Sequence, residues 1–205
     1  YDLKQFAVSE DEANLIFQGA NASLDGIPAN LTTLFKQAFD NGARIHSDSW
    51  GYDDAGYYSD DSRYLDMFTW SNKTMLVLVA AGNSGIDANS DGVIDLDSVG
   101  SPATAKNCLT VGASENYRTT GGYSTTTWGS AWPDDYPTTP ISADYISRPM
   151  SNNVQGLAAF SSRGPCNDGR IKPDIVAPGT DIISTRTRKV AATGWGTVSG
   201  NTNYI

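Results

Sequence analysis

Val77-Leu-Val-Ala-Ala-Gly-Asn-Ser-Gly85 is an apolar run that ends abruptly in two glycines bracketing Asn83. From Met75 to Ala81 the chain is continuously aliphatic and β-branched, the pattern of a strand covered on both faces of a parallel sheet. Gly82 and Gly85 then allow a sharp turn or the close approach of another backbone. Working crevices of open α/β sheets lie beyond the carboxyl ends of their strands. An amide delivered there can offer its N–H groups to a ligand or to a developing oxyanion. The same residues also suit a plain turn that Asn83 merely stabilises, and the stretch alone leaves both readings open.

Upstream, residues 13–18 read as a first strand, while residues 1–12 carry no strong pattern and read as a ragged N-terminus. Pro28 suits a first helical turn, and Leu31, Leu34, Phe35, Ala38 and Phe39 share one face at 3.6-residue spacing. That helix is expected to stop at Asn41-Gly42. Residues 43–51 read as a second strand running into a glycine turn, and residues 61–72 as a second helix with Tyr64, Leu65 and Phe68 on its apolar stripe. This β-α-β-α-β order predicts three neighbouring parallel strands joined by right-handed crossovers. Downstream, residues 108–113 and 157–160 read as further strands, and 174–177 and 181–184 as short extended pieces. Residues 117–150, rich in Thr, Ser, Gly, Pro, Tyr and Trp, read as a surface insertion. Its aromatics Tyr123, Trp128, Trp132, Tyr136 and Tyr145 either pack on one another or form a rim for substrate or sugar.

With 39% hydrophobic and 18% charged residues, the 205-residue chain suits one soluble globular domain. Fourteen Lys and Arg against 23 Asp and Glu give a formal net charge of -9, which argues against nucleic-acid phosphates and anionic membrane surfaces and favours cations as partners. No apolar run approaches the roughly 18 residues of a spanning helix. Tyr1-Asp2-Leu3-Lys4 lacks the plan of a signal peptide, so any export signal is expected outside this chain. Scarce lysine beside abundant Tyr, Trp, Thr, Ser, Asn and Gly has the flavour of a secreted or extracellular protein.

Six separated motifs carry a resemblance: Ser49-Trp50-Gly51, Ala80-Ala81-Gly82-Asn83, Gly100-Ser101-Pro102-Ala103, Val111-Gly112-Ala113, Phe160-Ser161-Ser162-Arg163-Gly164-Pro165 and Lys172-Pro173-Asp174-Ile175-Val176-Ala177-Pro178-Gly179. In order and spacing they resemble the subtilisin-like serine proteases (subtilases, peptidase family S8) over about residues 13–184. The bacterial alkaline subtilases, whose strand reads Ala-Arg-Ile-His before Ser-Trp-Gly, are the most similar. The resemblance implies a three-layer α/β fold with a mainly parallel, subtilisin-like central sheet. It implies that Asn83 is the oxyanion-hole donor and that Ser49, Trp50 and Gly51 pair with substrate backbone. It further implies that Ala80, Ala81, Gly82, Gly100 and Ser101 wall a primary pocket roomy enough for sizeable apolar side chains.

The departures bear on activity. The family's triad comes from Asp-Thr/Ser-Gly, His-Gly-Thr-His and Gly-Thr-Ser-Met-Ala motifs, and this sequence contains none of them. Its single histidine, His46, matches a non-catalytic position and is expected to be structural. The resemblance therefore implies one partial catalytic domain of a serine endopeptidase, truncated at both ends and inactive alone, whose parent acts on polypeptides. A dimer through sheet edges left open by truncation is a further expectation. The rival expectation is a non-catalytic, calcium-binding pseudoprotease module that serves adhesion or carbohydrate binding.

Asp87-Ala-Asn89-Ser-Asp91-Gly92-Val93-Ile94-Asp95-Leu-Asp97 has the spacing of an EF-hand calcium loop: oxygen side chains at positions 1, 3, 5 and 9, glycine at 6, the Val93 carbonyl at 7 and Ile94 at 8. Position 12 is Ser98 instead of a bidentate acid, with Asp97 one place early, and the flanks do not read as two helices. Four aspartates within eleven residues repel one another without a cation, so a structural Ca2+ in residues 86–98 is favoured over a solvated acidic loop. Cys108 and Cys166 lie in segments that the subtilisin resemblance places side by side around a weak cation site. A Cys108–Cys166 disulfide and two buried thiols stand as alternatives, and Asp168 and the Ala103 carbonyl are weaker cation candidates. The Asn21, Asn30 and Asn72 glycosylation triplets are given no weight.

Overall fold

The computed structural model describes residues 4–8, 13–18, 24–136 and 148–182. Strands β1 (Lys4–Val8) and β2 (Ala13–Phe17) form an antiparallel ribbon with Phe6 opposite Leu15. This corrects two expectations: residues 4–8 are a strand, and residues 13–18 do not open the parallel sheet. Only residues 9–12 separate the two strands, and so short a connection joins antiparallel neighbours, whereas a parallel pair needs a crossover of a dozen or more residues.

Helix α1 (Leu31–Asp40) runs from an Asn30 cap, whose side chain accepts the Thr32 N–H at 3.0 Å, to Asn41, and it buries Leu31, Leu34, Phe35 and Ala38. Strand β3 (Ile45–Asp48) follows, then helix α2 (Asp60–Ser71), capped by Ser59 with Asp60 and Asp61 at its positive end. Strands β4 (Leu76–Ala80), β5 (Leu109–Ser114) and β6 (Ile175–Pro178) and the short helix α3 (Trp128–Ala131) complete the described elements. The main sheet has the order β3-β4-β5-β6 and is parallel throughout. The fold class is therefore α/β, as the motif order implies.

Within β4, Val77 and Val79 point into the core formed by Phe35, Leu65 and Phe68 of the two long helices. The other face leaves Ile45 68%, Leu76 44% and Ile175 52% exposed. β4 thus alternates between buried and open, which corrects the expectation of a strand covered on both faces. Its all-aliphatic composition hid the period, because apolar residues stand on the open side too.

The motif Lys172-Pro173-Asp174 fastens β6 to β5. Asp174 accepts the Thr110 N–H at 2.7 Å and the buried Lys172 ammonium at 2.6 Å. Burial alone would raise its carboxyl, but these bonds hold it below the ordinary carboxylate range. Residues 157–160, expected as a strand, make a single bridge, Leu157 with Ser114. After the Ala158 N–H bonds the Ala113 carbonyl, the Ser161 N–H turns back onto the Ala158 carbonyl and ends the pairing. Residues 181–182 are not in a strand, and 183–184 lie outside the described residues.

A second apolar cluster gathers Ile94, Trp128, Tyr136, Met150, Ala158 and Ala159. Within it the insertion's aromatics pack on one another, with Trp128 stacked on Trp132 at 5.9 Å and edge-on to Tyr136. Tyr123 and Trp132 stay 44% exposed, and Tyr145 lies outside the described residues. Among the described residues no helix is long and apolar enough to cross a membrane.

Candidate active site

Asn83 stands three residues beyond β4, in a turn held from both sides by residues 160–162. The Gly82 carbonyl accepts the Ser162 N–H at 3.1 Å, the Ser84 N–H donates to Ser162 Oγ at 3.0 Å, and the Gly85 N–H donates to the Phe160 carbonyl at 3.0 Å. Gly82 sits at φ +114°, and a Cβ there would lie 2.7 Å from Ser162 Oγ. With the backbone so occupied, the Asn83 side chain is exposed, and its amide makes no hydrogen bond among the described residues.

Around this turn the structure assembles three stretches that are far apart in sequence. Tyr52 and Ser101 exchange backbone bonds at 2.8 and 3.1 Å, and the Gly100 N–H reaches the Ala81 carbonyl at 3.1 Å. A Cβ on Gly51 would lie 2.6 Å from the Ser101 carbonyl oxygen, so residues 49–52 approach 100–101 only because position 51 is glycine. Ser49, Gly51 and Ala80 are exposed, Trp50 and Gly82 half-buried, and Ala81, Gly100 and Ser101 buried. Trp50 donates its indole N–H to Asp48 at 3.1 Å, and the Ser101 hydroxyl bonds the Asp54 carboxylate.

Sequence reasoning gave no role to the residues that hold this arrangement. Ser162 and Asp53 are its clamps, Asp53 accepting the Ser84 hydroxyl at 2.6 Å. Nothing local marks Ser162 as the partner of a residue 78 positions away. His46 faces the core side of β3, with Nε2 2.7 Å from Gln18 Oε1, Nδ1 3.1 Å from Asp48 and its ring edge-on to Phe35.

In the acidic loop, side-chain oxygens organise the backbone. The buried Asp87 carboxylate accepts the Asp91 and Gly92 N–H groups at 3.1 and 2.9 Å. Asn89 accepts the Asp91 N–H, Asp91 the Val93 N–H, and Asp95 the Ala88 N–H at 2.8–2.9 Å. Asp97 lies outside this turn, at φ +61° beside Gly56 and Asn167. Among the described residues no group of three or more His, Cys, Asp or Glu is disposed to hold a metal ion.

Cys108 and Cys166 are free, buried thiols, so the bridge alternative is not the one the structure adopts. Cys108 Sγ is engaged with the Ala103 and Ala105 carbonyls and with Thr110 Oγ1. Burial raises both thiols above their ordinary value. Asp168 pairs with the Arg170 guanidinium at 2.8 Å, and the Ala103 carbonyl accepts the Thr110 hydroxyl at 2.6 Å.

Comparison with known proteins places these features in context. The model of the subtilase family matches residues 11–203. The serine protease/ABC transporter B family protein tagD of Dictyostelium discoideum is 31% identical over 202 residues, covering 78% of this chain and 11% of that protein. Pyrolysin of Pyrococcus furiosus is 38% identical over 111 residues, covering 54% and 7%. Serine protease AprX of Bacillus subtilis is 32% identical over 112 residues, covering 55% and 17%. The chain spans about a tenth of the length of the first of these relatives.

Proposed function

Because the chain belongs to the subtilase family, we propose that it carries the oxyanion-hole donor and the primary-pocket walls of a serine endopeptidase. One observation supports this reading above the others: Asn83 is exposed beyond β4, its backbone clamped by residues 160–162 and its amide free of any bond among the described residues. A side chain that only stabilised its turn would bond that turn.

In hydrolysis through an acyl-enzyme, a serine oxygen adds to the scissile carbonyl, whose oxygen becomes an anion. An amide N–H fixed in place beforehand stabilises that charge without reorganising during the reaction. On this reading residues 49–51 would pair with an extended polypeptide, and Ala80, Ala81, Gly82, Gly100 and Ser101 would wall the pocket for an apolar side chain. The sequence holds none of the three triad motifs, so the chain by itself does not turn over peptides. In the complete parent enzyme, Asn83→Ala is expected to lower kcat about 10²–10³-fold, the loss known for this donor in subtilisins, with KM little changed. An unchanged kcat refutes the assignment. Turnover of a chromogenic peptide by the 205-residue chain, abolished by Asn83→Ala, refutes its inactivity.

The rival reading, a pseudoprotease module for adhesion or sugar binding, draws on the exposed rings of Tyr123 and Trp132. His-Gly-Thr-His before and Gly-Thr-Ser-Met after this segment in the parent sequence support the protease; their replacement supports the module. Calcium suits either reading: Asp87, Asn89, Asp91, Asp95 and the Val93 carbonyl would hold it, and Asp97 joins only by turning away from Asn167. Calorimetry that detects no binding at millimolar Ca2+ excludes that role. A secreted parent fits the composition, and Ile45, Leu76 and Ile175 on the open sheet face support self-association, which sedimentation velocity tests.

A further inference from the structure

A cavity of about 410 Å3 opens between the acidic loop and residues 148–159, apart from the residues assigned above to catalysis and substrate binding. Its polar end is built by the end of β5. Glu115, the residue after the strand, donates its backbone N–H to the Gly156 carbonyl at 2.9 Å, which fixes where its side chain begins. The residue is only 8% exposed. Carboxylate oxygen Oε1 accepts the Trp128 indole N–H at 3.1 Å, while Oε2 is buried without a hydrogen-bond partner. Asn152 lines the same cavity, and its Oδ1 is likewise buried and unpartnered. A buried acceptor left unsatisfied typically costs about 1–3 kcal/mol, more when it belongs to a charged group, so two on residues that line one cavity call for a donor that reaches them from it.

The rest of the lining selects among donors. Ile94, Trp128, Leu157 and Ala159 make the walls apolar, and Val93, 66% exposed, stands at the mouth. A hard divalent cation takes six to eight oxygens and finds two unpartnered ones here. An organic cation with an apolar stem satisfies both the oxygens and the walls. Arg148 and Arg163 also line the cavity and favour a ligand whose far end is anionic. We propose that this cavity binds a primary alkylammonium, with Glu115 Oε2 and Asn152 Oδ1 accepting its N–H donors and Arg163 favouring stems that end in a carboxylate. An ω-amino carboxylate, or a lysine side chain near a peptide carboxyl terminus, has this chemistry.

The test uses the 205-residue chain and two probes of equal length, 6-aminohexanoate and hexanoate, read through the Trp128 indole N–H resonance in titration NMR. That proton is bonded to the other oxygen of the same carboxylate. The expected result is saturable binding of 6-aminohexanoate, none of hexanoate, and affinity at least tenfold weaker in Glu115→Gln. If Glu115→Gln does not fold, Val93→Lys, at an exposed position, is expected to weaken binding by placing a like charge at the mouth. Absence of 6-aminohexanoate binding, equal binding of hexanoate, or unchanged affinity in either folded variant overturns the proposal.

Discussion

Replacing Gly82 by alanine imposes two separable penalties on the turn that presents Asn83. The first is conformational: φ is +114°, a region that side-chain-bearing residues avoid at a cost of about 1–3 kcal/mol. The second is steric. The new Cβ would lie 2.7 Å from Ser162 Oγ, which must move and release the Ser84 N–H it accepts at 3.0 Å, a bond worth about 1 kcal/mol. Together they predict a loss of about 2–4 kcal/mol, or on the order of 10 °C in Tm for a chain of this size. A mutant cycle distinguishes the two terms. Ser162→Ala removes the clash and the acceptor at once, so the double variant retains only the conformational penalty relative to Ser162→Ala alone. Urea denaturation with linear extrapolation measures all four proteins. A Gly82→Ala loss under about 0.5 kcal/mol, within the range of ordinary surface substitutions, refutes the claim that this turn is held in a conformation reserved for glycine. Additive losses across the cycle refute the contact with Ser162.

Three further outcomes follow from other parts of the molecule. Asp66→Ala is expected to cost about 3 kcal/mol in the same assay, because the buried carboxylate accepts the Lys106 and Asn107 N–H groups and the Tyr58 hydroxyl, and all three lose their acceptor together. Burial first, then the bond to Asp66 at Tyr58 and the charge of Asp135 at Tyr136, push both phenols from 10.0 up to about 12. A raised folded value means that this stabilisation is complete below pH 10 and drains away as pH rises toward 12; the urea midpoint should fall across that window, and fall less in a Tyr58→Phe, Tyr136→Phe variant. On the calcium reading, millimolar Ca2+ should raise Tm in the wild-type chain and leave Asp91→Ala unmoved, whereas equal shifts in both indicate no site in this loop.

Much of the helical layer is legible in the chain itself. The stripe of Leu31, Leu34, Phe35 and Ala38 predicts α1 and its stop at Asn41, but Pro28, expected in the first turn, lies outside the helix, which begins at Leu31 because the Asn30 side chain caps it there. Capping and helical periodicity work within four positions, so they leave a local signature. The parallel strands around Asn83 and the family motifs are equally visible. By contrast, the pairing of β1 with β2 needed two weak segments to recognise each other. The open face of β4 was masked by aliphatic residues on both sides, and residues 157–160 looked like a strand while serving as a brace.

Asn83 shows the same division. Its place after an apolar strand, between glycines, follows from the sequence, and so do its two competing roles as turn stabiliser or donor. Which of them it can fill depends on Ser162 and Phe160, which take over the turn's backbone bonds from 77 and more residues away and leave the amide exposed. The same holds at Glu115, an unremarked acid after a strand until folding buries one of its oxygens without a partner beside a cavity that Asn152 also lines. Local order is written in neighbouring residues, but whether a polar atom is satisfied depends on partners that only the packed chain brings within reach.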